Sequence, residues 1–487
     1  MVKNSKYTYL DELERSQQLD RINAMGDEER RTRNGQRPRR DAEGFEADAD
    51  RERRMRERRR DIERKEREER RKKKVKTIRI ILVVALIAIV GAVIFFARGI
   101  FGKGSGPTPE QPPVSFITPE PTVSSTAPVV EGTPTPTPEP EAPTMTPTPT
   151  PEPVLAWWEY YSEEPIPEGD IVQVNSQIYS YEQMCRDLNF LRQRYPDKLQ
   201  VYRIGKTADD RELLDCVIGS ENATKDVIIQ YSMHAREYIN TPLAMRQIEE
   251  FLKNWDTPTY NGKTCGSLVN NVRLHLIPMA NPDGIAISQG GFEAIRNEEM
   301  RAKLNDIWQY DQQNGYGSAD YETYYKRWKA NGRGVDLNRN FDQNWETTGG
   351  RSWYSSSGYA GESAASENET KAIVRLANAI NCIGEVAYHS MGSIVYWDYG
   401  TTGDLHAKDE KLANVVADLT GYALNSTIDT GQNSSGCSDY FILERGVPAI
   451  TIETGKETCP VPIEQWPDIW ERNRYIVPAL AELFGGF

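Results

Sequence analysis

The sequence predicts an α/β domain over residues 156–487, with a mixed, largely parallel central sheet flanked by helices, preceded by a single transmembrane helix and disordered segments. Three observations carry this expectation. Short, continuous apolar runs (DVIIQYS, IGEVAYHS, PAITIET) alternate with longer helical stretches, the pattern of buried parallel strands joined by helices. An unbroken apolar run occupies Ile80 to Ala97. Between the two lies a Pro-, Thr- and Glu-rich tract with too little apolar content to build a core.

In chain order, residues 1–77 form a charged segment. Positions 51–76 read RERRMRERRRDIERKEREERRKKKVK, so the overall net charge of -13 arises elsewhere. No aromatic residues interleave this run to stack on bases, which argues against a nucleic-acid partner and for a solvated arm whose Lys cluster meets anionic headgroups. Residues 78–101 read as a transmembrane signal anchor, because the apolar run spans about 27 Å as a helix, close to the hydrocarbon thickness. Arg71, Lys72, Lys73, Lys74, Lys76 and Arg79 crowd its N-terminal side, against Arg98 and Lys103 beyond it. That asymmetry predicts a single-pass protein of the cell membrane, N-terminus cytoplasmic and the large domain extracytoplasmic. Residues 102–155, with repeats such as TPTPTPEPEAPTMTPTPTPEP, form an extended linker that reaches at most about 150 Å.

Within the domain, Tyr181 to Tyr195 has helical character, and LQVYRIGKT and LLDCVIGS alternate like paired strands. DVIIQYS is a buried strand, TPLAMRQIEEFLKNW a helix, and VRLHLIPMANPDG a strand ending in a turn. IGEVAYHS and PAITIET supply further buried strands. Cys185, Cys216, Cys265, Cys382, Cys437 and Cys459 all follow the linker, and none forms a CxxC pair. Disulfides and free buried thiols fit that spacing equally.

Histidine is scarce, with only His234, His275, His389 and His406. His234 and Glu237 stand three residues apart directly after a buried strand, and His389 ends another. Two imidazoles and a carboxylate make a ligand set used by catalytic zinc, with a fourth position left for water. Taken singly, each histidine has the plainer reading of a strand cap or a satisfied core group. His275 reads as a strand residue and His406 as a surface one. GRGVDLNRNFD packs Arg333, Asp336, Asn338 and Arg339 into one short stretch, and Glu453 closes an apolar strand where a carboxylate is costly unless paired or functional.

HxxE, the GVDLNRNF segment, the His-Ser pair and the ITIE strand, in this order, resemble the zinc carboxypeptidase family of the carboxypeptidase A type, from about Tyr181 to the C-terminus. The resemblance implies one Zn2+ per chain held by His234, Glu237 and His389, with Glu453 as general base and Asp336 orienting the first histidine. It implies that Asn338 and Arg339 grip a substrate carboxylate and that an arginine polarises the scissile carbonyl; Arg333 is the expected residue and Arg327 the alternative. The tyrosine that caps a bound C-terminal residue in digestive members is missing from QNSSGCSDYF, where neither Tyr422 nor Tyr440 is assigned that part. Ser438 stands where the resemblance places side-chain preference. RWKANGRGVDLNRNFD, GCSDYFILERGVPAITIETG and TCPVPIEQWPDIWERN resemble a bacterial branch of γ-D-glutamyl-L-diamino acid peptidases. The implied substrate is a cell-wall stem peptide. The alternatives are a metallocarboxypeptidase acting on protein or nutrient peptides and a catalytically dead wall-binding module.

Overall fold

A computed structural model describes residues 164–430 and 435–487. The charged segment, the apolar run, the whole linker and residues 156–163 lie outside the described residues; among those described, no helix is long and apolar enough to cross a membrane.

Eight strands form one sheet: β1 (Gln200–Lys206), β2 (Glu212–Ile218), β3 (Lys225–Tyr231), β4 (Val272–Ile277), β5 (Cys382–Ser390), β6 (Ile394–Trp397), β7 (Ala423–Ser426) and β8 (Ala449–Thr454). Their spatial order is β1-β2-β4-β3-β5-β8-β6-β7. The four central strands, β4, β3, β5 and β8, run parallel, while β1–β2, β2–β4 and β8–β6 pair antiparallel and β6–β7 parallel. The expected mixed, largely parallel sheet is therefore present. The ladder around β2 departs from the expected alternation: all seven of its residues are buried, because β2 lies inside the sheet with helices over it.

Besides two single-turn helices, Cys265–Leu268 and Thr427–Thr430, the described residues hold α1 (Tyr181–Arg194), α2 (Asn240–Lys253), α3 (Pro282–Gly290), α4 (Glu298–Gln313), α5 (Tyr321–Lys326), α6 (Asn368–Ala379), α7 (Gly403–Thr420), α8 (Cys437–Leu443), α9 (Trp466–Asn473) and α10 (Ile476–Gly485). Residues of α1, α2, α7, α9 and α10 share one core cluster with Val227, Ile229, Val386, Tyr388, Ile450 and Ile452 of the central strands. Ile228 and Ala449 face the opposite side, packed with residues of α6 and α8. Continuous apolar runs in β3 and β8 thus reflect burial on both faces of a three-layer sandwich.

NPDG does not stop at a turn. Asn281 Oδ1 accepts from Gly284 N–H and caps α3, with Pro282 in the first helical turn, where a missing N–H costs nothing. Asp283 is buried and receives Arg211, so this motif is structural. The six cysteines are free thiols, all buried except Cys459, which is half-buried.

Candidate metal centre and catalytic cavity

The carboxyl ends of β3, β5 and β8 converge at the middle of the sheet, where functional groups gather in open α/β folds. His234 follows β3, and the 3-10 turn Ala235–Glu237 wraps Glu237 back beside it. Backbone bonds from Ala235 N–H to Lys329 O and from Glu237 N–H to His234 O pin this turn. His389 lies at the end of β5, in register with Glu453 of β8.

His234 Nδ1 lies 2.9 Å from Glu237 Oε1 and 2.9 Å from His389 Nδ1, and His389 Nδ1 lies 2.9 Å from Glu237 Oε2. All three residues are buried, and their ligand atoms fall within 4.8 Å of one another. Ser390 N–H donates to Glu237 Oε2 and fixes the carboxylate. On the far side of the first ring, His234 Nε2 lies 3.2 Å from Asp336 Oδ1, while Asp336 Oδ2 accepts from Gly358 N–H and pairs with Lys329 Nζ at 3.1 Å.

The electrostatics follow from burial and these neighbours. Burial lowers the pKa of His234, outweighing the pull of Glu237. Burial opposes ionisation of Glu237 and Asp336, yet the two histidines hold the first, and Lys329 with His234 the second, well below the ordinary carboxylate range. Burial and the charge of Glu237 push Glu453 up to about 7, against the opposing pull of His389, Lys329 and Arg236.

A cavity of about 440 Å³ opens over this cluster, lined among others by His234, Glu237, Glu453, Arg236, Arg327 and Lys329. Arg236 and Arg327 also line a second chamber of about 510 Å³ with Tyr316 and Tyr324. Arg333 does not line either chamber. It pairs with Glu367 at 3.6 Å and borders a separate cleft beside Trp353 and Tyr354. Asn338 Oδ1 accepts from Cys437 N–H at the start of α8, and Arg339 Nη1 donates to Asn338 O. Arg339 remains near enough to Asp336 to lower its carboxyl pKa. Sequence reasoning passed over Arg236 and Lys329. The first sits inside HxxE and the second seven residues before Asp336, so proximity to the motifs was their signal.

A family model described as zinc carboxypeptidase matches residues 184–476. The chain belongs to the zinc carboxypeptidase family. It is therefore a zinc metallopeptidase, a hydrolase. Gamma-D-glutamyl-L-diamino acid endopeptidase 1 of Lysinibacillus sphaericus is 30% identical over 298 residues, covering 61% of this chain and 70% of that protein. Mast cell carboxypeptidase A of Homo sapiens is 24% identical over 226 residues, covering 46% of this chain and 47% of its own length. The crystal structure of thrombin activatable fibrinolysis inhibitor superposes with a TM-score of 0.51 at 16% identity, covering 68% of this chain and 80% of that one, a likeness of fold.

The residues present fit the family's metal. Two imidazole nitrogens and a carboxylate, all Lewis bases, converge with no protein cation between them, and zinc bonds such atoms at about 2.0–2.2 Å. Asp336 on the outer nitrogen of His234 supplies the orienting partner that ligating histidines take.

Proposed function

We propose that this protein is a membrane-anchored, extracytoplasmic zinc peptidase that hydrolyses amide bonds of peptidoglycan stem peptides at the γ-D-glutamyl–diamino acid link. The observation that carries the reading is the pairing of the His234–Glu237–His389 cluster with a flanking chamber rimmed by Arg236 and Arg327. A γ-linked glutamyl residue keeps its α-carboxylate free at the far end of its side chain from the scissile amide, and two guanidiniums suit that anion. The relative from Lysinibacillus sphaericus, by its name, acts on this linkage.

His234, Glu237 and His389 would hold zinc, which when bound acidifies water and polarises a carbonyl. Glu453 takes the proton of the attacking water and returns it to the leaving amine. Arg327 and Lys329 face the same cavity and place positive charge where the oxyanion develops. Asn338 and Arg339 hold a carboxylate on the leaving side, and Asp336 keeps His234 in the required tautomer. The run Ile80–Ala97 and the following linker would anchor and extend the domain toward the wall.

The test is metal analysis and muropeptide digestion by the full-length protein, read by mass spectrometry beside Glu453→Gln. About one zinc per chain, with stem-peptide cleavage lost in the variant, supports the reading. Intact muropeptides together with release of C-terminal residues from ordinary L-peptides would replace it with a protein-directed carboxypeptidase.

A further inference from the structure

Among the described residues, Tyr316 and Trp353 are the only exposed aromatic side chains, and they belong to one row of rings. The centroids of Tyr316 and Tyr310 lie 6.3 Å apart, those of Tyr310 and Trp353 4.9 Å, and those of Trp353 and Tyr354 5.7 Å. Exposed rings scattered singly need no account, whereas a contiguous group marks a contact surface.

The row joins two cavities. At one end, Tyr316 lines the chamber that shares Arg236 and Arg327 with the metal cavity. At the other, Trp353 and Tyr354 line the cleft that holds Arg333, whose volume of about 460 Å³ falls within the range of small-molecule sites. Part of the cleft wall is α4, which buries only Leu304, Ile307 and Asp311. Lys303, Asp306 and Ile307 reach the cleft, and Tyr310, one turn on, continues that helix face.

The rings are held in place by the protein itself. Buried Asp311 accepts from Ser356 N–H at 2.9 Å and from the Tyr324 hydroxyl at 2.7 Å, which ties the loop carrying Trp353 and Tyr354 to α4. Tyr316 N–H donates to Asp311 O at 2.8 Å, and the Arg351 guanidinium lies 4.1 Å from the Tyr316 ring centroid. A shelf fixed in this way loses little freedom on binding.

The chemistry of the cleft narrows the ligand. Glu299 and Asp306 offer acceptors while Lys303 and Arg333 offer donors, so the charges balance and favour neither a polyanion nor a polycation. A neutral sugar uses donors and acceptors alike. Its ring C–H bonds, slightly positive, meet the negative faces of aromatic rings, and its hydroxyls bond at the rim.

Position narrows it further. The glutamyl carbon that bears the α-carboxylate also bears the acylated amine, so the substrate chain leaves the flanking chamber from the point that Arg236 and Arg327 would hold. One residue and a short acyl ether, about 7 Å of extended chain, separate that carbon from the sugar of the glycan strand. The steps from Tyr316 to Tyr310 and on to Trp353 match this reach.

We propose that the Tyr316–Tyr310–Trp353 shelf and its cleft bind the N-acetylated amino sugar that carries the stem peptide, so that peptides still attached to glycan are preferred to free ones. This rests on the reading of the protein as a stem-peptide hydrolase and adds the non-peptide part of the substrate.

The experiment compares full-length, zinc-loaded protein on N-acetylmuramoyl-L-alanyl-γ-D-glutamyl-L-lysine and on the same peptide N-acetylated, which keeps the amide and lacks the sugar. The wild type should show a KM about tenfold lower for the muramoyl peptide, the scale of one or two ring contacts, with similar kcat. Trp353→Ala should bring the ratio of the two KM values to about one, and Trp353→Phe should keep part of it. A wild type indifferent to the sugar, or a Trp353→Ala variant that weakens both peptides equally, overturns the assignment and leaves the peptidase reading standing. So does a concentration-dependent mass in sedimentation that Trp353→Ala abolishes, since the shelf would then cover a second copy of the chain. Cleavage of neither peptide defeats the parent reading and the assignment together. If the variants do not fold, inhibition of the wild type decides: N-acetylmuramoyl-L-alanine amide inhibiting more strongly than N-acetyl-L-alanine amide supports the site, and equal inhibition overturns it.

Discussion

Lys329 Nζ stands 3.1 Å from Asp336 Oδ2, and the other oxygen of the same carboxylate faces His234. One buried acid thus couples a metal-side histidine to a cation that lines the cavity. Asp336 keeps two other partners, His234 and Gly358 N–H, when Lys329 is removed. Lys329→Met is therefore expected to fold and to lose kcat by about 10²–10³-fold, the scale of one lost oxyanion donor. Lys329→Arg should recover part of the loss. Steady-state kinetics beside a thermal melt separate this from a folding defect, and unchanged kcat in the Met variant would remove Lys329 from the reaction.

Asp336→Asn addresses the other half of the same relationship. The amide preserves shape but no longer demands an N–H at His234 Nε2, so the ring is freer to present the wrong tautomer at Nδ1. Zinc affinity should fall by about 10–100-fold, measured by competition with a chromogenic chelator. Equal affinity would mean the turn Ala235–Glu237 orients His234 unaided.

Glu453→Gln should retain zinc and lose about 10²–10⁴ in kcat, because it removes the group placed to carry the proton without touching the three ligands. Metal content and turnover measured on one preparation check this. A variant that turned over normally would hand the proton to another group.

The metal cluster was legible because its chemistry restricts residue type and spacing: a His and a Glu three apart fit one turn after a strand, and a second His closes a neighbouring strand. The central strands were legible because burial on both faces demands continuous apolar runs. The arginine choice was not, since it depends on the path of one loop. Asn331 Oδ1 accepts from both Arg333 N–H and Val335 N–H, and Gly334 turns the chain at a positive φ of 81°. That turn carries Arg333 toward Glu367 and leaves Arg327 in the cavity.

His275 supplies a prediction about stability. It is buried on β4, with Nδ1 2.8 Å from Asp215 and Nε2 3.2 Å from Asp226, which Arg273 also meets. Burial disfavours its charge, but the two carboxylates prevail and raise its pKa to about 9. A folded pKa above the unfolded one contributes stability that is complete below about 6.5 and fades as pH climbs through about 9. Denaturation midpoints should therefore decline across that interval, and in His275→Gln the decline should flatten while stability near pH 6 drops. A pH-independent difference between the two proteins would show that the ring is neutral in the fold.

The last prediction separates the two arginines. Arg327 lines both the cavity over the cluster and the chamber that flanks it, whereas Arg333 lies partly exposed against Glu367, which also accepts from Asn331 and Ser366. Arg327→Ala should reduce kcat/KM by about 10²–10³-fold if its guanidinium meets the developing oxyanion. It should also weaken substrates whose glutamyl α-carboxylate is free more than substrates in which it is amidated. Arg333→Ala removes a partly screened ion pair contributing at most about 1 kcal/mol, so its thermal midpoint should shift slightly and its turnover little. Kinetics on the two variants with a carboxylate-bearing peptide and its amide decide the matter. Loss of turnover in Arg333→Ala with Arg327→Ala unaffected would mean that substrate binding redraws the loop around Gly334 and brings Arg333 to the reacting carbonyl.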